Sequence, residues 1–183
     1  IYDALHLTSP MVNFNGALTH LPHRHWGGER VHLVSRKLSL DLLEAKDQLG
    51  LKTLVAEDKL HVWADHPTSL LPEFLPAQLR PDQYLNAANL LADPIALTIE
   101  FSPAQKKQVL SQIDHRYGDL VEPRIWGGPY DIMELIHRGV HKEDGLAHVA
   151  KYYQIDRQHI IAFGDEHNDA EMITYAGRGV AMK

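Results

Sequence analysis

Residues Ile160–Met172 read I-I-A-F-G-D-E-H-N-D-A-E-M, and the reading of this stretch organises the rest of the chain. The apolar run Ile160, Ile161, Ala162 and Phe163 has the length of a buried strand and stops at Gly164. Asp165, Asn168 and Asp169 follow at once, where a helix begins. In an open α/β sheet, ligands bind in the crevice beyond the carboxyl ends of the strands, and a strand ending in Gly-Asp delivers a carboxylate there. Such oxygens suit Mg²⁺, which keeps coordination positions open for substrate phosphate. The same letters also suit a surface turn whose Asp caps a helix.

The flanking sequence alternates in kind. Lys142–Tyr153 places Leu146, Val149, Ala150 and Tyr153 on one helical face, Asp169–Ala176 reads as a helix closed at Gly177, and Gly179–Met182 starts another strand. This α-β-α-β succession predicts a parallel, doubly wound sheet. Upstream, Met11, Val12 and Phe14 form a short strand before a turn at Asn15-Gly16. Arg30–Leu38 reads as a further strand, with Ser39 capping a helix that ends at Gly50. Lys52–Ala64 is a hairpin and Pro94–Phe101 a strand. Ser102, Pro103 and Gln105 form a capping box for a helix running to Gly118. Short helical pieces suit Leu85–Leu91, within the proline-rich region 66–94, and Val121–Trp126 and Asp131–Ile136 read as strands about Gly127-Gly128-Pro129. The expected fold class is α/β: a partial doubly wound parallel core of residues 1–30 and 132–183, with an α+β cap of residues 31–131 inserted into it.

Composition removes several function classes. The 183 residues are 44% apolar, enough for a packed core, and no run approaches the roughly 18 apolar residues of a membrane span. Cysteine is absent, which excludes disulfides, thiolate zinc sites and a cysteine nucleophile. A net charge of -6 and a pI near 6.1, without a Lys/Arg cluster, argue against nucleic acid as partner and favour a small molecule. With neither a signal peptide nor a membrane span evident, cytoplasm is the default compartment. The 13 histidines are scattered. His23 and His25 suit a polar loop or strand face, since zinc needs three or four converging ligands, and His167 reads as a solvent-facing loop residue because Mg²⁺ selects oxygen.

Three pieces carry a resemblance. G-D-E-H-N-D-A-E-M-I-T-Y-A-G-R-G-V-A-M (164–182) resembles the fourth motif of the haloacid dehalogenase superfamily, in the Cof-type (subclass IIB) branch of phosphatases. V-N-F-N-G-A-L (12–18) resembles that branch's strand ending in Asn-Gly-Ala before the cap, and G-V-H-K-E-D-G-L-A-H-V-A (139–150) its third motif. On its own Lys142 reads as a solvated surface lysine. The resemblance implies that Lys142 holds a phosphoryl group and the nucleophile, that Asp165 binds Mg²⁺, that Asn168 donates to phosphate, and that Asp169 is a second acid in the metal shell or beside the lysine. Asn15 is a further candidate for phosphate binding, although an Asn-Gly turn needs no ligand to explain it. Glu143 departs from the family's glycine after the lysine, with Gly145 two positions further on.

The resemblance further implies Mg²⁺-dependent hydrolysis of a small phosphorylated metabolite, such as a sugar phosphate, through an aspartyl-phosphate. A phosphomutase-like enzyme of the same branch and a non-catalytic phosphate- or metal-binding module are the alternatives. The family's early D-x-D-G-T/S segment and its phosphate-binding Ser or Thr have no match, and no D-x-D occurs anywhere in the chain. The expectation is a fragment without its nucleophile, inactive alone. Trp63, Trp126 and Tyr130 are candidate cap aromatics for substrate, with core packing as the competing role.

Overall fold

A computed structural model describes residues 2–67, 78–126 and 131–182. In chain order the elements are β1 (Met11–Asn13), β2 (Leu18–His20), β3 (Arg30–Val31), α1 (Arg36–Glu44), α2 (Lys46–Leu49), β4 (Leu51–Glu57), β5 (Val62–Ala64), β6 (Ala96–Phe101), α3 (Lys106–Tyr117), β7 (Val121–Ile125) and β8 (Ile132–His137). The last are α4 (Lys142–Tyr152), β9 (Ile161–Gly164), α5 (Ala170–Tyr175) and β10 (Arg178–Ala181). They form two compact units, one of residues 1–31 and 140–183, the other of residues 32–139.

The contiguous unit is built on a five-stranded antiparallel sheet of order β5-β4-β6-β8-β7. Alternation along each strand separates its two faces. Leu54, Ala56, Leu97, Ile99, Phe101, Met133 and Leu135 lie on one face and bury against Leu38 and Leu42 of α1 and Val109 and Ile113 of α3. The other face carries Thr53, Thr98, Glu100 and Glu134. Thr53 Oγ1 donates to Glu100 Oε2 at 3.0 Å and Thr98 Oγ1 to Glu57 Oε1 at 2.7 Å. Burial raises the Glu57 pKa, and the Thr98 hydroxyl offsets part of that rise. At the ends of this unit, the rings of His32 and His137 lie 5.8 Å apart.

The discontinuous unit contains the antiparallel set β1-β2-β3 and the parallel pair β9-β10, joined through α5. Helix α4 packs on β1, β2 and α5. Gly145 makes that approach possible: a Cβ there would sit 2.4 Å from Val12 Cγ1 and 3.0 Å from Thr19 Oγ1. The glycine displaced from its usual place after the lysine thus has a packing role of its own.

Several expectations require correction. Residues 132–139 belong with the inserted sheet, because β8 is hydrogen-bonded between β6 and β7; the division falls at 139/140. The strand expected over Arg30–Leu38 is only Arg30–Val31, and α1 begins at Arg36, before Ser39. The i,i+4 pair Leu38 and Leu42 is buried on the core side of the helix, and Ser39 Oγ donates to Ser35 O at 3.0 Å. Ser102 makes no side-chain cap; a 3₁₀ turn at Pro103–Gln105 precedes α3. Residues 85–91 form turns held by Asn86 Oδ1, which accepts from the Ala88 and Asn89 amides. The expected turn at Gly127-Gly128-Pro129 and the candidate Tyr130 lie outside the described residues. Trp63 packs against the core of its unit, and the Trp126 amide donates to Ile132 O.

Ile99→Ala is expected to lower the unfolding free energy by roughly 2–5 kcal/mol, the cost of a cavity between sheet and helices. Leu60→Ala, at an 81% exposed turn residue, should change it by less than about 0.5 kcal/mol. Similar denaturant midpoints for the two variants would contradict the packing described.

Candidate functional site

Strand β9 pairs in parallel with β10 in the register Gly164↔Ala181, so both strands reach their carboxyl ends together. Beyond them the chain turns through a 3₁₀ segment, His167–Asp169, into α5. Asp165, Glu166 and His167 are exposed there. They rim a groove of about 380 Å³ whose wall includes Gly164, Ile173 and Met182.

Asp169 lies beneath this loop at 5% exposure. Lys142 Nζ donates to its Oδ1 at 2.6 Å, and the backbone amides of Asp165 and Glu166 donate to its Oδ2 at 3.1 and 3.2 Å. Burial alone would raise its pKa. The Lys142 ammonium and the two amides outweigh that, and the carboxyl is held below its ordinary value near 3.8. Such a fold-back needs room at the strand end, since a Cβ on Gly164 would meet Asp169 Cβ at 2.4 Å and Cγ at 2.7 Å. The glycine that ends the apolar run is therefore a steric requirement of the buried acid.

Lys142 is the first residue of α4. The preceding residue, His141, donates its amide to Asp144 Oδ2 at 2.7 Å, which fixes where the helix starts and so where the lysine stem leaves it. The Lys142 side chain is 30% exposed, and its ammonium meets Asp169. An ammonium carries three donors.

Asn168 is half-buried, and its Nδ2 donates to Asn15 Oδ1 at 2.7 Å. Its Oδ1 is buried and has no hydrogen-bond partner among the described residues. The structure thus brings Lys142 to Asp169, Asn15 to Asn168, and Asp169 to the backbone of Asp165. It does not join the two acids as side chains: both Asp169 oxygens are engaged, whereas the Asp165 carboxylate is exposed. The Asn15–Asn168 bond spans 153 residues, and only the Asn-Gly-Ala resemblance hinted at it.

A hard cation fits this donor set in part. The exposed Asp165 carboxylate at a strand end matches the oxygen preference of Mg²⁺, with water and phosphate completing its shell, whereas the Asn168 amide oxygen is buried. Among the described residues no group of three or more His, Cys, Asp or Glu side chains converges as a preformed cage.

Because the folded-state pKa of Asp169 is depressed, its contribution to stability is present above the ordinary value near 3.8 and is lost as pH falls through the folded value. The difference in unfolding free energy between the native sequence and Asp169→Asn should be constant above about pH 5 and shrink below about pH 4. A difference that stays level down to about pH 3 would show that the carboxyl is not held as an anion.

A sequence model of haloacid dehalogenase-like hydrolases matches residues 1–183. The chain is 32% identical over 187 residues to the 5-amino-6-(5-phospho-D-ribitylamino)uracil phosphatase YitU of Bacillus subtilis, covering 99% of this chain and 67% of that one. It is 43% identical over 77 residues to the Escherichia coli phosphatase YbjI, named for the same compound, covering 42% of this chain and 27% of that one. The solved structure of the HAD subclass IIB sugar phosphatase BT4131 shares the fold at TM-score 0.74 and 16% identity, over 99% of this chain and 66% of that one. The chain thus spans about two thirds of the length of YitU and of BT4131. With the α/β architecture and the whole-length match together, the chain belongs to the haloacid dehalogenase-like hydrolase family.

Proposed function

We propose that the native gene product hydrolyses the phosphomonoester of a small metabolite and that residues 1–31 and 140–183 supply the phosphate-holding half of its site. The observation that carries this reading is the Lys142–Asp169 pair at 2.6 Å, placed beside the loop at the carboxyl ends of β9 and β10. Asp169 neutralises part of the ammonium's charge and aims it, and a remaining donor of Lys142 binds a phosphoryl oxygen. The Asn168 amide has two hydrogens, of which Asn15 takes one, leaving the other for the same anion. Asp165, whose carboxylate is exposed at the strand end, would hold Mg²⁺. The bound cation supplies charge neutralisation on the phosphoryl oxygens. Asp169 acts on the lysine and the loop instead, because its oxygens already accept three hydrogen bonds.

None of these groups is a nucleophile toward phosphorus. Their work is positioning and stabilising the charge that develops in the transition state. Family membership supports attack by a carboxylate, through an aspartyl-phosphate, as the chemical step of this reading. The five-stranded unit, residues 32–139, is assigned as the cap that selects the substrate. YitU and YbjI are both named for a phosphoribitylamino compound, which makes phosphorylated sugar alcohols the first class to test, followed by hexose phosphates.

The native gene product is expected to release phosphate from at least one member of that panel in Mg²⁺ and to stop when EDTA removes the metal. Lys142→Met and Asp165→Ala should each lower kcat roughly 10²–10³-fold, the size of losing one preorganised charge stabiliser. Asp165→Ala should also raise the Mg²⁺ concentration needed for half-activity. Full activity of either variant, or phosphate binding by the native protein without turnover on any of these esters, would refute the assignment.

A further inference from the structure

The turn between β1 and β2 is built in an uncommon way. Phe14, Asn15 and Gly16 all have left-handed backbone angles, φ 49, 50 and 107. A run of three is rare, and a bulky aromatic at positive φ is disfavoured by its Cβ. Strain of this kind persists only where the surroundings over-determine it, and it clusters at functional sites. Two contacts over-determine it here. Gly16 presses against the start of α4, where a Cβ would meet His141 O at 2.0 Å and Lys142 N at 3.2 Å. Asn15 Oδ1 accepts from Asn168 Nδ2 at 2.7 Å.

One three-residue turn therefore touches the backbone that launches Lys142 and the side chain of Asn168. These are the two groups assigned above to the phosphoryl oxygens. An amide at a phosphate site is useful in one orientation only: its NH₂ attracts the anion and its carbonyl oxygen repels it. An acceptor on Asn15 selects the orientation that turns the Asn168 carbonyl into the protein, where its Oδ1 is buried. Asn15 turns its carbonyl oxygen, an acceptor only, toward Asn168, so the atom it presents there has no hydrogen to give an anion.

We infer that Asn15 is a positioning residue that acts through Asn168 and does not itself bind phosphate, with the Phe14–Gly16 turn serving as the common brace for Lys142 and Asn168. This rests on the phosphatase reading above, and it changes the role expected for Asn15 from contact to support.

The test is a double-mutant cycle in the native gene product, read by inorganic phosphate affinity and by KM and kcat for an ester it hydrolyses. Asn15→Gly is the informative substitution, because glycine keeps φ near +50 without penalty and removes only the side chain. Alone, it should weaken phosphate binding and raise KM about 10-fold, with the thermal midpoint unchanged or slightly raised. Asn168→Ala should do the same. Added to Asn168→Ala, Asn15→Gly should cost less than about 2-fold more. Multiplicative losses, about 100-fold in the double variant, would show that Asn15 meets the anion independently and would overturn this inference while leaving the phosphatase reading intact. No loss from Asn15→Gly alone would overturn it as well. A native protein that neither hydrolyses esters nor binds phosphate overturns both.

Discussion

The buried Asp169 carboxylate is the constraint around which the site is arranged. An anion at 5% exposure must be compensated, and leaving it unpaired costs several kcal/mol. Lys142 comes from the start of α4, and the two amides come from the loop after β9. Meeting that single electrostatic demand joins segments far apart in the chain. It also fixes the loop geometry that leaves Asp165 exposed and Asn168 turned toward Asn15. Where the carboxylate sits, a β-carbon on Gly164 cannot, so the strand's last residue is decided by the acid five positions later.

Legibility from sequence followed the range of the interaction. Local signals located β4, β6, α3, α4 and α5 to within a few residues, because apolar runs, helical stripes and the Gly and Pro residues that bound them belong to the segment itself. Lys142 and Asp165 stood out as candidates for a different reason: their spacing to neighbours matches a family pattern. Errors arose where a local rule had two solutions. Ser39 has the chemistry of a helix cap but sits inside α1, because Leu38 and Leu42 are needed on the core side. Ser102 has the capping-box spacing, yet Pro103 draws the chain into a 3₁₀ turn. Residues 132–139 follow a strand pattern that suits either unit, and only the pairing of β8 with β6 and β7 decides between them. The Asn15–Asn168 bond and the engagement of both Asp169 oxygens are long-range facts with no periodic trace.

The two acids of the Gly-Asp loop illustrate how identical side chains part by environment. Asp165, one residue beyond the strand, stays in solvent. Asp169, at the edge of the short helix, is drawn under the loop and spends both oxygens on protein donors. The contrast in environment between neighbouring carboxylates is thus set by four residues of separation across a 3₁₀ turn.

The nearness of His32 and His137 has a consequence for how a chain can carry so large an interruption. More than a hundred residues separate the two parts of the discontinuous unit. As an unstructured loop, a segment of that length would cost about 4 kcal/mol of closure entropy. Once the intervening unit has formed, His32 at its start and His137 near its end stand side by side, with their rings 5.8 Å apart. The effective loop is then a few residues long. The inserted unit, a contiguous stretch of chain closed by its own sheet, acts as a molecular staple: by folding on its own contacts it returns the chain nearly to where it left off, and the discontinuous unit is relieved of most of the entropic burden of its own discontinuity.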